Sequence, residues 1–305
     1  MIGVLLMAYG TPRTLDEVEG YFTHIRRGRK PSEEEVEELK GRYREIGGAS
    51  PLYEITEAQA KGLQEALDRK SPGRFRVYLS MKHSPPFIPD IAAQMLRDGV
   101  PEIVALVLAP HESKMIIDDY MRYARDVLGS QPDVRVHVIR TWHLNDKYLL
   151  ALHRRIQQEL AAFPRPGAEH TMVLFTAHSL PEKILETKDP YPARLEENAH
   201  ALAQSLSLPL WRRAYQSAGK TSFPWLGPDL VEALKEVKAE GYSQILVVPI
   251  GFVADHLEVL YDIDHEAQAK AQELGITLLR TESLNSDPEF LEGLAEEVLQ
   301  AIPSV

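Results

Sequence analysis

Short apolar runs alternate with longer stretches of three- and four-residue hydrophobic spacing along almost the whole chain. The run Ile2–Ala8 is apolar and predicts a buried strand, after which residues 15 to 25 carry helical spacing. Further helices are predicted over residues 32 to 46, a charged segment closed by Gly47-Gly48, and over residues 55 to 69. A strand at 75 to 81, a helix at 90 to 97, a strand at 103 to 109, a helix at 115 to 128, a strand at 134 to 139 and a helix at 146 to 163 follow in turn. Pro164-Arg-Pro-Gly167 reads as a linker, and then the pattern starts again. It predicts strands at 172 to 176, 210 to 215, 245 to 249 and 276 to 279, with helices at 194 to 206, 229 to 239, 256 to 274 and 288 to 301.

The repeat reaches the letters: Arg140-Thr-Trp-His-Leu-Asn145 precedes the last helix of one half, and Arg280-Thr-Glu-Ser-Leu-Asn285 precedes that of the other. Strict alternation predicts an α/β protein of two doubly wound (Rossmann-like) parallel-sheet domains, related by an internal repeat, with a cleft between them. The expected N-terminal domain covers residues 1 to 163 and the C-terminal domain residues 164 to 305. Ligands of such sheets gather at the carboxyl ends of the strands, so Tyr9, His83, His111, His178 and Gln216 are expected to line the cleft.

His178 closes an apolar run and is followed by Ser179-Leu-Pro181, which cannot continue a strand. An imidazole at that edge is a candidate base or metal ligand, and the bland alternative is a satisfied turn residue. In the second half, Glu258, Asp262 and Glu266 stand at i, i+4 and i+8, a spacing that predicts three carboxylates stacked on one helix face. Asp255 and Glu258 also have the form of a capping box. That reading leaves Asp262 and Glu266 unexplained, because like charges at this spacing repel. A row of hard oxygen donors leading toward an imidazole is a route for a divalent cation.

Composition narrows the chemistry. A chain of 305 residues with 44% hydrophobic content can bury one large core or two medium ones, and size scaling favours two. It contains no cysteine, which excludes disulfides, thiolate zinc sites and protein-ligated iron–sulfur clusters, and no resident cofactor is expected. A formal net charge of −11 argues against nucleic-acid binding. No basic region precedes the first apolar run, and no run approaches the roughly 20 residues needed to span a bilayer, so a cytoplasmic protein without a membrane span is expected. Against the acidic background, Arg26-Arg-Gly-Arg-Lys30 sets four cations in five residues. These either complement a helix end or clamp an anionic ligand.

Six ordered motifs carry a family resemblance: Met7-Ala-Tyr-Gly-Thr-Pro12, Thr23-His-Ile-Arg-Arg-Gly-Arg-Lys-Pro31, Gly47-Gly-Ala-Ser-Pro-Leu52, Ala177-His-Ser-Leu-Pro181, Tyr215-Gln-Ser-Ala-Gly219 with Pro224-Trp-Leu-Gly-Pro-Asp229, and Gly251-Phe-Val-Ala-Asp-His-Leu-Glu258. With them the sequence resembles the ferrochelatases, and most closely the coproporphyrin III ferrochelatases. The resemblance implies a haem-biosynthesis enzyme that inserts Fe²⁺ into a porphyrin, with His178 and Glu258 as the metal and proton residues. It also implies porphyrin contacts from Tyr9, Arg26, Arg42, Tyr43, Ser50 and Tyr120, with Tyr9 as axial ligand of the product iron. Porphyrin and Fe²⁺ are then the partners, and no C-terminal membrane-docking extension of the kind some relatives carry is expected.

Those residue types suit the reaction. A free-base porphyrin holds two weakly acidic N–H protons, so insertion needs a base, a partly dehydrated metal and a bent ring. His178 is expected to be the base, neutral near pH 7. Glu258 would take water from the metal and pass protons on, with Asp262 and Glu266 behind it as a secondary path. Trp225 and Phe252 are large enough to wall the slot. The alternatives are a protoporphyrin IX ferrochelatase, a related cobalt or sirohydrochlorin-type chelatase, and a porphyrin or haem carrier without turnover.

Overall fold

The computed structural model describes residues 1–303 and contains two four-stranded parallel sheets. The first is built from β1 (Ile2–Ala8), α1 (Val18–Ile25), α2 (Glu33–Glu45), α3 (Leu52–Lys70), β2 (Phe75–Met81), α4 (Ile88–Arg97), β3 (Glu102–Val107), α5 (Lys114–Leu128), β4 (Arg135–Ile139) and α6 (Asp146–Ala162). The second comprises β5 (Met172–His178), α7 (Tyr191–Ser205), β6 (Trp211–Gln216), α8 (Leu230–Ala239), β7 (Gln244–Val248), α9 (Leu257–Leu260), α10 (Gln268–Leu274), β8 (Thr277–Arg280) and α11 (Pro288–Gln300). The strand orders, β2-β1-β3-β4 and β6-β5-β7-β8, are the same order written twice. All seven residues of β1 are buried, as expected of a strand covered by helices on both faces. In both sheets the order of strand addition reverses beside the first strand, so the open crevices fall at the carboxyl ends of β1 and β5. Tyr9 directly follows β1, and His178 is the last residue of β5.

The two sheets share helices. The last helix of the first half, α6, packs on α7 and β7 of the second half, while α11 packs on α3 of the first and on α6. Trp142, Tyr148 and Phe290 meet in this seam, with ring centroids 5.2 to 6.4 Å apart. The Tyr148 hydroxyl donates to Ile250 O at 2.9 Å. One continuous core therefore runs from Val4 and Leu6 to Phe175 and Val248, and smaller cores cover the outer face of each sheet. Burying these aromatic side chains across the seam fixes how the two strand edges face one another.

The predicted helix over 256 to 274 is not one regular helix. Four α-helical residues lead into a π-helical segment, Asp262–Ala267, before α10 begins. The physical reason is visible at its start: the Glu258 carbonyl accepts from Gln216 Nε2 at 2.6 Å, and the Glu266 N–H reaches back five residues to Tyr261 O at 2.9 Å. With an α-helical acceptor taken by a side chain, the ladder resumes one residue late. The capping box is absent as well. His256 occupies the cap without a side-chain bond, and Asp255 instead binds Ser283, Asn285 and Arg280.

Candidate active site

His178 and Glu258 come from different elements, the end of β5 and the first turn of α9, yet their side chains meet: Nε2 lies 3.6 Å from Oε1. The other carboxylate oxygen of Glu258 lies 3.7 Å from His256 Nε2. Tyr191, on α7, donates from its hydroxyl to His178 O at 2.8 Å and holds the strand end in place. Trp225 sits beside the imidazole at 6.5 Å between ring centroids and forms one wall. Phe252 does not. It packs on His256 and on the core of the second sheet, so it is a packing residue.

The electrostatics correct one expectation. Burial pulls the His178 imidazole down, but the Glu258 carboxylate beside it outweighs that and raises it to about 9. Burial likewise raises Glu258, and the adjoining His178 more than compensates and holds the carboxyl well below its usual range. At pH 7 the pair is therefore an imidazolium and a carboxylate, not the neutral base the sequence suggested. Behind it, Asp262 is buried and pushed up to about 7, first by burial and then by the charges of Glu258 and Glu266, against a hydrogen bond from Ser217. Ser217 adopts a left-handed backbone, φ 61°, to present that hydroxyl. Glu266 is solvent-exposed. Glu258 is half-buried, Asp262 buried and Glu266 exposed, so the three acids are spread through a π-helical turn, not stacked on one α-helical face.

Facing them are phenols. Tyr43 and Tyr120 are buried, and Tyr9 is 40% exposed. Burial raises all three, Tyr43 to about 12, and the negative charge of Glu258 adds to each shift. All three phenols therefore lie within the field of that carboxylate and stay protonated. Lys82, tied to Asp119 at 2.7 Å, holds its ammonium 4.8 Å from the Tyr120 ring and 5.5 Å from that of Tyr9. Ser50 is buried beside a pocket that Leu260 of α9 also lines.

The basic stretch is not a free anion clamp. Arg26 pairs with Glu35 at 2.6 Å, Arg27 with Asp119 at 3.7 Å and Lys30 with Glu19 at 2.8 Å. Arg42 pairs with Glu38 at 3.5 Å and lies 5.1 Å over the Tyr261 ring. Of the other strand ends expected in the cleft, His111 is buried and bonds Asn198 at 2.9 Å, while Gln216 is buried and holds the Glu258 backbone. Sequence reasoning missed the pair His24–His83, whose Nδ1 atoms lie 2.9 Å apart beneath Tyr9. Burial lowers both, His83 to about 3, so both rings are neutral and one donates to the other. A contact between residues so distant in sequence leaves no local signature. Among the described residues, no group of three or more His, Asp or Glu side chains is close enough to hold a metal by itself.

Comparison with known proteins gives a consistent picture. Residues 1–302 match the family model described as ferrochelatase. The chain is 45% identical to the ferrochelatase of Herpetosiphon aurantiacus over 95% of both chains. It is 43% identical to the coproporphyrin III ferrochelatase of Geobacillus kaustophilus, covering 98% of this chain and 95% of that one. The coproporphyrin III ferrochelatase of Bacillus subtilis is 40% identical, over 99% and 98%. In fold it is similar to SirB from Bacillus subtilis, with a TM-score of 0.60 at 13% identity over 99% and 95% of the two chains. CbiX, described as the terminal enzyme of sirohaem biosynthesis in denitrifying bacteria, gives 0.59 at 12% over 99% and 100%.

Proposed function

The chain belongs to the ferrochelatase family, an enzyme of haem biosynthesis that inserts metal into a porphyrin, and from that premise we propose that its porphyrin is coproporphyrin III and that His178 and Glu258 carry the insertion. The observation that carries the residue assignment is the contact between imidazole and carboxylate at a strand end whose charge acts on a set of protonated phenols. Support for the substrate comes from the names of the full-length relatives.

Insertion replaces two porphyrin N–H protons with one divalent cation. In this reading the arriving cation displaces the proton held between His178 and Glu258. Once it passes to the ring nitrogens, the vacated imidazole and carboxylate are free to take the protons that leave. Asp262, poised near neutrality, and then Glu266 form the exit toward solvent. The ring nitrogens complete the coordination that two protein ligands alone do not. Tyr9, Tyr43, Tyr120, Ser50, Arg26 and Arg42 hold the macrocycle opposite. No resident cofactor takes part in this proposal, since the metal is a substrate. The cytoplasmic setting expected from the sequence belongs to it too, and cell fractionation tests that part.

Anaerobic Fe²⁺ insertion followed by absorbance, with coproporphyrin III and protoporphyrin IX side by side, tests the whole. A higher kcat/KM for coproporphyrin III is expected. An equal or better value with protoporphyrin IX removes the substrate assignment. Porphyrin that binds but is not consumed by Fe²⁺ addition removes the catalytic one and leaves a carrier.

A further inference from the structure

Most of the cations that the sequence offered to the porphyrin carboxylates are engaged with the protein's own acids, and an arginine outside that set is not. Arg13 lies four residues after Tyr9 on the same loop, and among the described residues its guanidinium has no carboxylate partner. It is not loose either: its Cζ sits 3.7 Å from the centroid of the Tyr53 ring, close enough for a cation–π contact. Arg13 and Tyr53, stacked on one another, line a pocket of about 310 Å³ together with Ile46, Ser50, Glu54 and Leu260. That volume is at the lower end of ligand pockets, room for a short side arm and not for a macrocycle. Two of its lining residues place it next to the candidate site: Ser50, and Leu260, which follows Glu258 by two residues in the same turn.

We propose that this pocket is a subsite for one propionate arm of the tetrapyrrole, with the Arg13 guanidinium as its carboxylate partner and the Ser50 hydroxyl as a donor at its neck. The assignment rests on the porphyrin reading above. The chemistry is that of a planar, permanently charged fork held flat against an aromatic ring, which leaves its edge N–H groups to meet a carboxylate in two parallel hydrogen bonds. Tyr53 orients the fork without competing for it. Glu54, at the rim, opposes the arriving charge, and it is this acid that keeps the subsite from holding small anions in the absence of the macrocycle. A porphyrin with four propionates gains from such a subsite beyond the main slot, and one with two gains less.

Metal-free fluorescence titration of coproporphyrin III and protoporphyrin IX measures the effect without turnover. For Arg13→Gln the Kd of coproporphyrin III is expected to rise about three- to tenfold, the range of a partly exposed charge-assisted contact, with the Kd of protoporphyrin IX changing less than about twofold. Glu54→Gln is expected to tighten coproporphyrin III. Both side chains are exposed, so the thermal midpoint is expected to stay at the wild-type value. Equal changes for the two porphyrins, no change for either, or weaker binding in Glu54→Gln each overturn the assignment. A wild-type protein that prefers coproporphyrin III while Arg13→Gln leaves that preference intact overturns the subsite alone. A wild-type protein that does not bind coproporphyrin III overturns the substrate reading and the subsite together.

Discussion

The two halves repeat one strand order, and the end of the first strand in each holds a ring that faces the cleft, but the two ends differ in charge. At the end of β1, the Tyr9 hydroxyl has no protein hydrogen-bond partner among the described residues, and its ring rests 4.6 Å from a neutral, buried His83. At the end of β5, His178 rests on Glu258 and carries a proton held by that carboxylate. In the proposed reading, one end faces the flat macrocycle without charging it and the other exchanges a cation for protons. The scaffold is duplicated, and that reading confines the chemistry to one copy.

Removing the imidazole tests that contrast most severely. His178→Ala is expected to lower the rate of metal insertion by about 10²–10⁴-fold, the usual contribution of a general acid–base group, while porphyrin still quenches on binding. Tyr9→Phe keeps the ring and loses only the hydroxyl, and is expected to remain within about tenfold of wild type. If the two variants lose comparable activity in the same anaerobic assay, the division between the strand ends fails.

The next effect is one of pH. His178 is raised to about 9 and Glu258 is held low, so below pH 9 a cation must displace a proton to reach the pair. The apparent KM for metal, measured with Zn²⁺ to avoid oxidation, is expected to fall up to about tenfold per pH unit between pH 6 and 8 and to level off toward 9. A KM that is flat over this range would show that the pair is already deprotonated. Tyr9 predicts no such slope, because burial and the nearby Glu258 keep its phenol protonated throughout.

What was legible in the sequence follows the range of the interaction that produces it. The eight strands and their alternation with helices come from local periodicity, and so does the placing of His178 at a strand end, because Ser179-Leu-Pro181 cannot extend it. The break in the helix after Glu258 was not legible, since it depends on Gln216 taking a backbone carbonyl from another strand. Nor was the protonation of His178, which needs Glu258, 80 positions further along the chain, within 4 Å rather than a neighbour in sequence. The basic run from Arg26 to Lys30 left two readings open, a helix end or an anion clamp, and the sequence could not choose between them. Its partners Glu19 and Glu35 are near in sequence, but an acid's identity does not say which cation it will meet.

A glycine braces each strand end, and the two substitutions should differ. A Cβ on Gly251 would stand 2.6 Å from Ala177 Cβ and 2.7 Å from Ala177 Cα, pressing on the residue before His178. Gly251→Ala is expected to cost about 1–3 kcal/mol of stability by overpacking and to lower kcat as well, since the displaced backbone carries the imidazole. Gly10, with φ 93°, would meet Ser84, so Gly10→Ala should cost stability through backbone strain while lowering kcat less than Gly251→Ala does. Thermal midpoints and kcat measured on the same preparations separate the two, and an equal drop in kcat would place chemistry at both ends.

The smallest expected effect lies on the first half's rim. Arg26 is 29% exposed and already paired with Glu35, so a porphyrin carboxylate that engages it must share or replace that partner. The exchange of one carboxylate for another at a partly exposed guanidinium nets little, on the order of 0–1 kcal/mol. Arg26→Ala is therefore expected to raise KM for coproporphyrin III by about fivefold at most, with kcat unchanged. Glu35→Gln should lower that KM slightly, because the protein's own acid no longer competes for the cation. The sign of the second variant decides between two roles. If Glu35→Gln raises KM, the acid serves to aim Arg26 at the substrate, and the ion pair belongs to the binding site. If it lowers KM, the pair holds the loop after α1, and the porphyrin competes with it.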